Sequence, residues 1–350
     1  MMKGFLQNYW YVAASSAEVG NTPFGRTICG EPIVLFRKSD GSIAALNDRC
    51  PHRKYALSKG EVIGNDIQCG YHGFRYNGGN GACTLIPSQP SAPPPKGLSA
   101  KTYPVIEKYA LIFIWIGEAA HADESLLPDW SPNTAPGWTV RHGYYHIKSN
   151  YLLMLDNFHD LTHLAFVHKS TFGGAGMLEN PLEVEMDGEM VKTRRNLPNM
   201  PQSILFKCTK RFDHDRNIDR IQRTEFRMPG YGIVTISAGE VGAKEPDIHH
   251  AILNSITPET EHTHHYFWSV VRRYGLDDPQ ATKIFMDLMQ RAFDEDQAVM
   301  EIQEKMIASD TSGTPLRSYK GDQATVMVRR LIAQKLMGEA TAAEEAAAAE

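Results

Sequence analysis

Short apolar runs broken by turn residues dominate the first third of this chain. Asn-Tyr-Trp-Tyr-Val-Ala at 8–13 is aromatic and β-prone. Pro32 to Arg37 and Ile43 to Asn47 follow as strand-like runs, parted by a step whose Asp40-Gly41 pair signals a hairpin. Gly78-Gly79-Asn80-Gly81 marks another turn, and the Pro- and Ser-rich stretch from Pro87 to Pro95 reads as an irregular covering loop. Between Tyr103 and Gly117, Leu-Ile-Phe-Ile-Trp-Ile has no polar position and predicts a buried strand. Residues 1–117 therefore read as one small antiparallel β domain whose aromatics pack its core.

A linker bearing Pro128, Pro132 and Pro136 leads into a second domain over residues 118–338. Tyr144 to Asn150 resumes a strand, and Tyr151 to His168 has helical spacing with no proline. From Glu183 to His250 the pattern returns to strands, with a hairpin turn at Asp187-Gly188. Gly230 to Ser237, Ile248 to Ile256 and Thr263 to Val271 read as strands, and Pro279 to Ala308 as a long amphipathic helix. The Ala- and Glu-rich tail, 339–350, is helical or frayed and carries no assigned role. No internal repeat is present. The class is α+β, an N-terminal antiparallel β domain followed by a second antiparallel sheet with helices packed on it.

Composition changes this picture little. The 350 residues suffice for two domains, and 42% hydrophobic with 22% charged residues is ordinary for a globular protein. A net charge of -5 gives no basis for a nucleic-acid or anionic-membrane partner. Polar and aromatic residues interrupt the first ten positions, which argues against a secretory signal, and no run is long and apolar enough to span a bilayer. Of the 5 cysteines, Cys29, Cys83 and Cys208 are scattered, which argues against a disulfide framework and for a reducing cytoplasm.

The chemistry sits in two constellations. Asp-Arg-Cys-Pro-His at 48–52 and Gln-Cys-Gly-Tyr-His-Gly-Phe-Arg-Tyr at 68–76 pair Cys50 with His52 and Cys69 with His72. Zinc takes such a ligand set, but two thiolates and two imidazoles on two Gly- and Pro-bearing loops favour a two-iron, two-sulfur cluster with mixed ligation. Pro51 stiffens the first loop, and Gly73 leaves room for close backbone approach in the second. The second constellation, Leu-Asp-Asn-Phe-His-Asp-Leu-Thr-His-Leu-Ala-Phe-Val-His at 155–168, carries Asn157, Asp160, His163 and His168. On one helix His163 and His168 would point roughly 140° apart, so a helix that bends or ends between them is needed to aim both at one atom. Two histidines and a carboxylate on one face of an ion, with open positions left for O2, is a non-haem Fe(II) arrangement. Asp294, Glu295 and Asp296 of the late helix are the acidic candidates. His249, His250, His262, His264 and His265 form a loose group read as ordinary surface or pocket residues.

The first constellation resembles the Rieske domain of non-haem iron oxygenases, and the spacing Asn-x-x-Asp-x-x-His-x-x-x-x-His resembles their iron segment. The opening Asn-Tyr-Trp-Tyr-Val-Ala-Ala, Gly25-Arg26-Thr27 and Thr257-Pro258-Glu259-Thr260 look like the vanillate, dicamba and toluenesulfonate group of oxygenase components. The resemblance implies a Rieske domain over 1–117 and a catalytic, helix-grip-like domain over 118–338. It implies a 2Fe–2S cluster on Cys50, His52, Cys69 and His72, and Fe(II) on His163, His168 and Asp296, the last being the acid that matches the pattern. Asn157 and Asp160 would serve catalysis. The implied assembly is a head-to-tail homotrimer in which Asp160 bridges His72 of the partner subunit to His163 of its own chain. Electrons would come from NAD(P)H through a separate reductase or ferredoxin. The implied reaction is hydroxylation or O-demethylation of a small aromatic compound, an aromatic acid by preference. Asn254, just before the Thr-Pro-Glu-Thr stretch, is the candidate substrate contact, and together with Ser255 it departs from the polar or histidine pattern common there. Ring dihydroxylation stays open as an alternative. So does an electron-transfer Rieske protein, which would have no use for the second constellation.

Overall fold

The computed structural model describes residues 4–169, 171, 176–209, 212–243 and 248–349. Two compact units result, Gly4–Leu127 with Thr257–Thr260, and Pro128–Ile256 with Glu261–Glu350. The dividing line falls after Leu127, beyond the short 3-10 turns Ala119–His121 and Glu124–Leu126 that follow the last strand of the first unit.

The first unit is built from ten strands in three small antiparallel sheets. β1 (Tyr9–Ser15), β2 (Phe24–Ile28), β3 (Glu31–Arg37), β4 (Ile43–Asn47), β5 (Glu61–Ile63), β6 (Asp66–Gln68), β7 (Arg75–Asn77), β8 (Cys83–Leu85), β9 (Val105–Lys108) and β10 (Leu111–Ile116) are ordered β1-β10-β9, β2-β3-β4 and β5-β6-β7-β8. The apolar run expected as one buried strand is β10, buried at all six positions. It pairs with β9 through a turn at Tyr109 and Ala110, both at positive φ (58° and 62°). No glycine or asparagine marks that turn, so the sequence pattern did not separate β9 from β10.

The second unit is one seven-stranded sheet with helices. β11 (Thr139–Ile147), β12 (Glu183–Asp187), β13 (Met190–Met200), β14 (Ile218–Arg227), β15 (Tyr231–Glu240), β16 (Ile248–Thr260) and β17 (Thr263–Arg272) lie in the order β11-β17-β16-β15-β14-β13-β12. In the β12–β13 hairpin Asp187 pairs with Met190, so the turn is Gly188-Glu189 rather than Asp187-Gly188, with Gly188 at φ 59°. The helices are α1 (Tyr151–His159), α2 (Gly176–Glu179), α3 (Ile204–Cys208), α4 (Pro279–Ser309) and α5 (Gln323–Ala349). Asp278 caps α4 by accepting from Ala281 N at 2.9 Å, and Pro279 opens its first turn, both good start signals. The buried face of α4 reads Phe285, Leu288, Met289, Ala292, Phe293, Asp296, Met300 and Glu304, a stripe at helical spacing with two carboxylates in it. Glu304 is explained locally, accepting from Asn150 N at 3.0 Å and from His262 Nδ1 at 2.7 Å. Asp296 belongs to the site below. α5 continues through the Ala- and Glu-rich tail and is tied to α1 by Arg329, whose Nε donates to both oxygens of Asp156 at 2.8 and 3.1 Å.

Candidate cluster loops and iron centre

Two loops of the first unit share one backbone frame. Cys50 N donates to Tyr55 O and Lys54 N to Cys50 O; Cys69 N donates to Phe74 O and Gly73 N to Cys69 O, all between 2.8 and 3.0 Å. The fourth residue after each cysteine is at positive φ, Lys54 at 61° and Gly73 at 72°. The demand at Gly73 is thus the turn itself, together with Pro87, whose Cγ would lie 2.9 Å from an added Cβ. The frame buries both cysteines and brings the rings of His52 and His72 to 4.7 Å, with His52 stacked on Phe74 at 4.4 Å.

The residues fit a two-metal cluster. His52 Nδ1 is buried with no hydrogen-bond partner. Burial raises the Cys69 thiol, and Cys50 beside it adds in the same direction. An orphaned imidazole nitrogen and two adjoining thiols are costly unless a ligated group receives them. The four side chains do not gather around one point. Among the described residues, the only three or more His, Cys, Asp or Glu ligand atoms within 4.8 Å of one another are those of His163, His168 and Asp296. A single tetrahedral zinc would draw its ligands closer than that. The separation into a thiol pair and an imidazole pair suits two irons.

In the second unit the helical run over Tyr151 to His168 breaks where convergence requires it. α1 ends at His159, Asp160 is the junction, and a 3-10 turn carries Leu161–Ala165. Freed from a single helix, His163 and His168 bring their rings to 5.2 Å, and their Nε2 atoms lie 3.7 and 3.2 Å from Asp296 Oδ1. Each Nδ1 is already held: His163 Nδ1–H donates to the Asp160 carbonyl at 2.7 Å, and His168 Nδ1–H to Glu295 Oε2 at 2.7 Å. Both histidines therefore present Nε2 to a metal, the tautomer that such partners enforce. Asn157 Nδ2 donates to Asp296 Oδ1 at 3.0 Å and steadies the carboxylate. Burial pulls the His163 pKa down. At His168 burial acts the same way, but Asp296 and Glu295 outweigh it and raise the pKa.

At two of the expected site residues the structure shows local bonding that the sequence did not reveal. Within its own chain Asp160 meets His163 through its carbonyl, not its carboxylate. Oδ1 accepts from Thr162 N and Oγ1 at 2.9 and 2.5 Å, capping the 3-10 turn, and Oδ2 accepts from Tyr319 OH at 3.3 Å. Asn254 lines the cavity, but its amide donates to Gly232 O and Ile252 O and accepts from Tyr266 OH at 2.8 Å. These bonds tie the Asn254 side chain to the neighbouring strands.

The cavity beside the metal-ligand triad holds about 890 Å³ of empty space, counting its open mouth. Its floor is one face of the sheet, read at every second residue: Arg220 and Gln222 on β14, Val234 and Ile236 on β15, His250 and Ile252 on β16. Leu205 and Phe206 of α3 and Met289 and Phe293 of α4 add apolar wall. Sequence reading preferred Asp296 to Glu295 and did not single out Arg220 or Gln222. Asp294, the third acidic candidate, accepts from Tyr145 OH at 2.6 Å. His250 lines the cavity, His264 Nδ1 meets Ser149 O, and His265 Nδ1 meets Tyr144 OH. The His249 side chain lies outside the described residues.

The Rieske 2Fe-2S domain family matches residues 9–104, and the vanillate O-demethylase oxygenase C-terminal domain family matches residues 147–337, more than half the chain. The chain belongs to the vanillate O-demethylase family of Rieske oxygenases. Among its relatives are the vanillate O-demethylase oxygenase subunit of a Pseudomonas species, 32% identical over 98% of both chains, and the oxygenase component of dicamba O-demethylase from Stenotrophomonas maltophilia, 33% identical over 94% of this chain and 97% of that one. A putative toluene-4-sulfonate monooxygenase iron-sulfur subunit from Comamonas testosteroni is 34% identical over 93% of this chain and 97% of its own length. The crystal structure of dicamba monooxygenase bound to 3,6-dichlorosalicylic acid superposes with a TM-score of 0.91 at 32% identity, covering 97% of this chain and 99% of that one. As a member of this family the chain is a Rieske-type oxygenase, the oxygenase component of a monooxygenase or demethylase system, with a 2Fe–2S cluster and a non-haem iron as cofactors and a separate electron donor. No helix among the described residues is long and apolar enough to cross a membrane.

Proposed function

We propose that this oxygenase hydroxylates or O-demethylates a small aromatic acid in the cytoplasm, with Cys50, His52, Cys69 and His72 holding the cluster and His163, His168 and Asp296 the iron. The observation that carries the reading is a two-histidine, one-carboxylate triad opening into a mostly apolar cavity. When bound, the two groups supply electrons one at a time and activate O2. The chain's own work is positional. Glu295 and the Asp160 carbonyl fix the two imidazoles, and Asn157 fixes the carboxylate. The walls of Leu205, Phe206, Val234 and Ile236 seat an aromatic ring and exclude bulk water. For an aryl methyl ether the balance is ArOCH3 + O2 + 2 e⁻ + 2 H⁺ giving ArOH, HCHO and H2O.

The partner reading is a homotrimer in which the cluster of one subunit faces the iron centre of the next. Two features support it. His72 is exposed and flanked by exposed Tyr71 and Tyr55, an aromatic rim suited to being covered. Asp160 Oδ2 has a single long bond, from Tyr319, which leaves acceptor capacity for an imidazole N–H. The catalytic reading is tested by iron and sulfide analysis, electron paramagnetic resonance of the reduced protein, and product analysis on methoxy- and methylbenzoates. Stoichiometric zinc in anaerobically purified protein would sink it. The quaternary reading is tested by co-assembling inactive His72→Ala and His163→Ala chains. Regained activity supports transfer between subunits, and none in demonstrably mixed oligomers refutes it.

A further inference from the structure

Arg220 sits on β14 with its side chain on the cavity floor, half-buried. Its Nε is buried without a hydrogen-bond partner, and no ion pair to it is formed among the described residues. Its cross-strand neighbours are Leu197 on β13 and Ala238 on β15, neither of which offers an acceptor side chain. The adjacent acid, Asp219, points to the other face and accepts from Asn199 N at 2.7 Å and Gly242 N at 2.8 Å. Among the described residues the one carboxylate lining the cavity, Asp296, is committed to the triad and Asn157. Burial lowers the guanidinium's pKa, and no neighbouring charge pushes it back. Arg329 is the contrast: there Asp156 overcomes burial and the pKa rises.

Two residues along the same face, ~7 Å away by strand geometry, is Gln222. It is 5% exposed, and its Oε1 is buried without a partner. A half-buried guanidinium with its Nε unpartnered and a buried amide with its Oε1 unpartnered, both lining one cavity, are costly in the empty protein. Such groups persist where a ligand completes them.

We propose that Arg220 is the anion anchor of this cavity. Its guanidinium receives the oxyanion of a small aromatic acid, Gln222 hydrogen-bonds beside it, and the ring lies along the apolar wall toward the triad. The planar fork of the guanidinium matches a carboxylate with two parallel bonds, and a sulfonate presents the same oxyanion chemistry. The inference rests on the oxygenase reading of the cavity and deepens it by naming the group that selects the substrate.

The test is calorimetric binding to the cofactor-loaded protein under nitrogen, with 4-methoxybenzoate, 4-methylbenzenesulfonate and the neutral 4-methoxybenzamide as probes. Wild type should favour the carboxylate over the amide by roughly 10- to 100-fold, the range of a charge-assisted hydrogen bond. Arg220→Met should bring that preference to within about twofold and leave amide binding in place. Arg220→Lys should keep part of it. Ligand-free Arg220→Met should melt at a higher temperature than wild type, because an unpaired half-buried charge is gone. Tighter binding of the sulfonate would keep the anchor and name sulfonate as its anion. An undiminished carboxylate preference in Arg220→Met, no preference in wild type, or a lower melting temperature with loss of all three ligands would overturn the proposal. Normal binding contrasts with no product from any probe under reductant and O2 would instead strike at the oxygenase reading.

Discussion

Replacing Glu295 separates what the charge behind His168 contributes from what the hydrogen bond contributes. His168 Nδ1 lies 2.7 Å from Glu295 Oε2, and the glutamate side chain is 28% exposed. A carboxylate behind a ligand histidine is worth about 10- to 100-fold in metal affinity. Partial solvent access screens the charge, which puts Glu295→Gln near the lower end, roughly tenfold, because the amide oxygen still accepts from Nδ1–H. Glu295→Ala loses both contributions and should reach the upper end, roughly hundredfold. His163 is held by a backbone carbonyl, so neither substitution disturbs it. The pH behaviour adds a second signature. Burial opposes protonation of His168 in the metal-free site, but Asp296 and Glu295 prevail, so protons compete with iron at a higher pH than for an ordinary imidazole. Glu295→Gln should therefore bind iron more weakly at high pH, yet lose it at a lower pH than wild type. The assay is anaerobic Fe(II) titration against a chelator from pH 5.5 to 8.5, with the cluster's visible absorption as control. Wild-type affinity in Glu295→Ala, or parallel pH curves for wild type and Glu295→Gln, would refute the reasoning.

Three further outcomes are expected. His159 and His264 are buried neutral, with burial the chief cause pulling both to about 4; the unfolded chain binds these protons near the ordinary histidine value of about 6.5. Their contribution is thus intact above that value and is lost as pH falls toward about 4, and urea unfolding should show a shallower acid slope in the His159→Gln/His264→Gln protein. Gly143 on β11 faces Trp268 on β17, and an added Cβ would meet its Cζ2 at 1.9 Å, so Gly143→Ala should destabilise by roughly 1–3 kcal/mol or more and change the tryptophan emission; an unchanged urea midpoint would contradict this. Arg329→Met should cost roughly 1–3 kcal/mol by leaving Asp156 half-buried without its partner, measured as a lower urea midpoint that Asp156→Asn in the same chain partly restores.

What was legible in the sequence depended on how local its cause is. Strands β3, β4, β15 and β17 could be read because alternation and turn residues are properties of neighbouring positions. His163 and His168 could be paired because they share one segment, although their convergence depends on α1 ending at His159. The role of Glu295 was not legible because a carboxylate beside a ligand carries no periodic mark of it. Asp296 and Glu304 did carry such a mark, as charges on the apolar stripe of α4, a sign that a buried partner exists. Arg220 and Gln222 look like surface residues of an alternating strand. Only the placement of β13, β15, α3 and α4 around β14 turns their face into a cavity floor. The β9–β10 turn was missed because Tyr109 and Ala110 adopt a backbone conformation that neither residue type advertises.

The carboxylate of Asp296 in the buried stripe of α4 also says something about the order of events in the life of the protein. Without a metal, the middle of this 31-residue helix packs an anion and two imidazoles where its neighbours pack Met289, Phe293 and Met300. Bound iron would tie that seam together, so metal capture and the final seating of α4 would be coupled. In the apoprotein the amides between Ala292 and Met300 should exchange hydrogen sooner than those near the Asp278 cap, and loading iron should reverse the order.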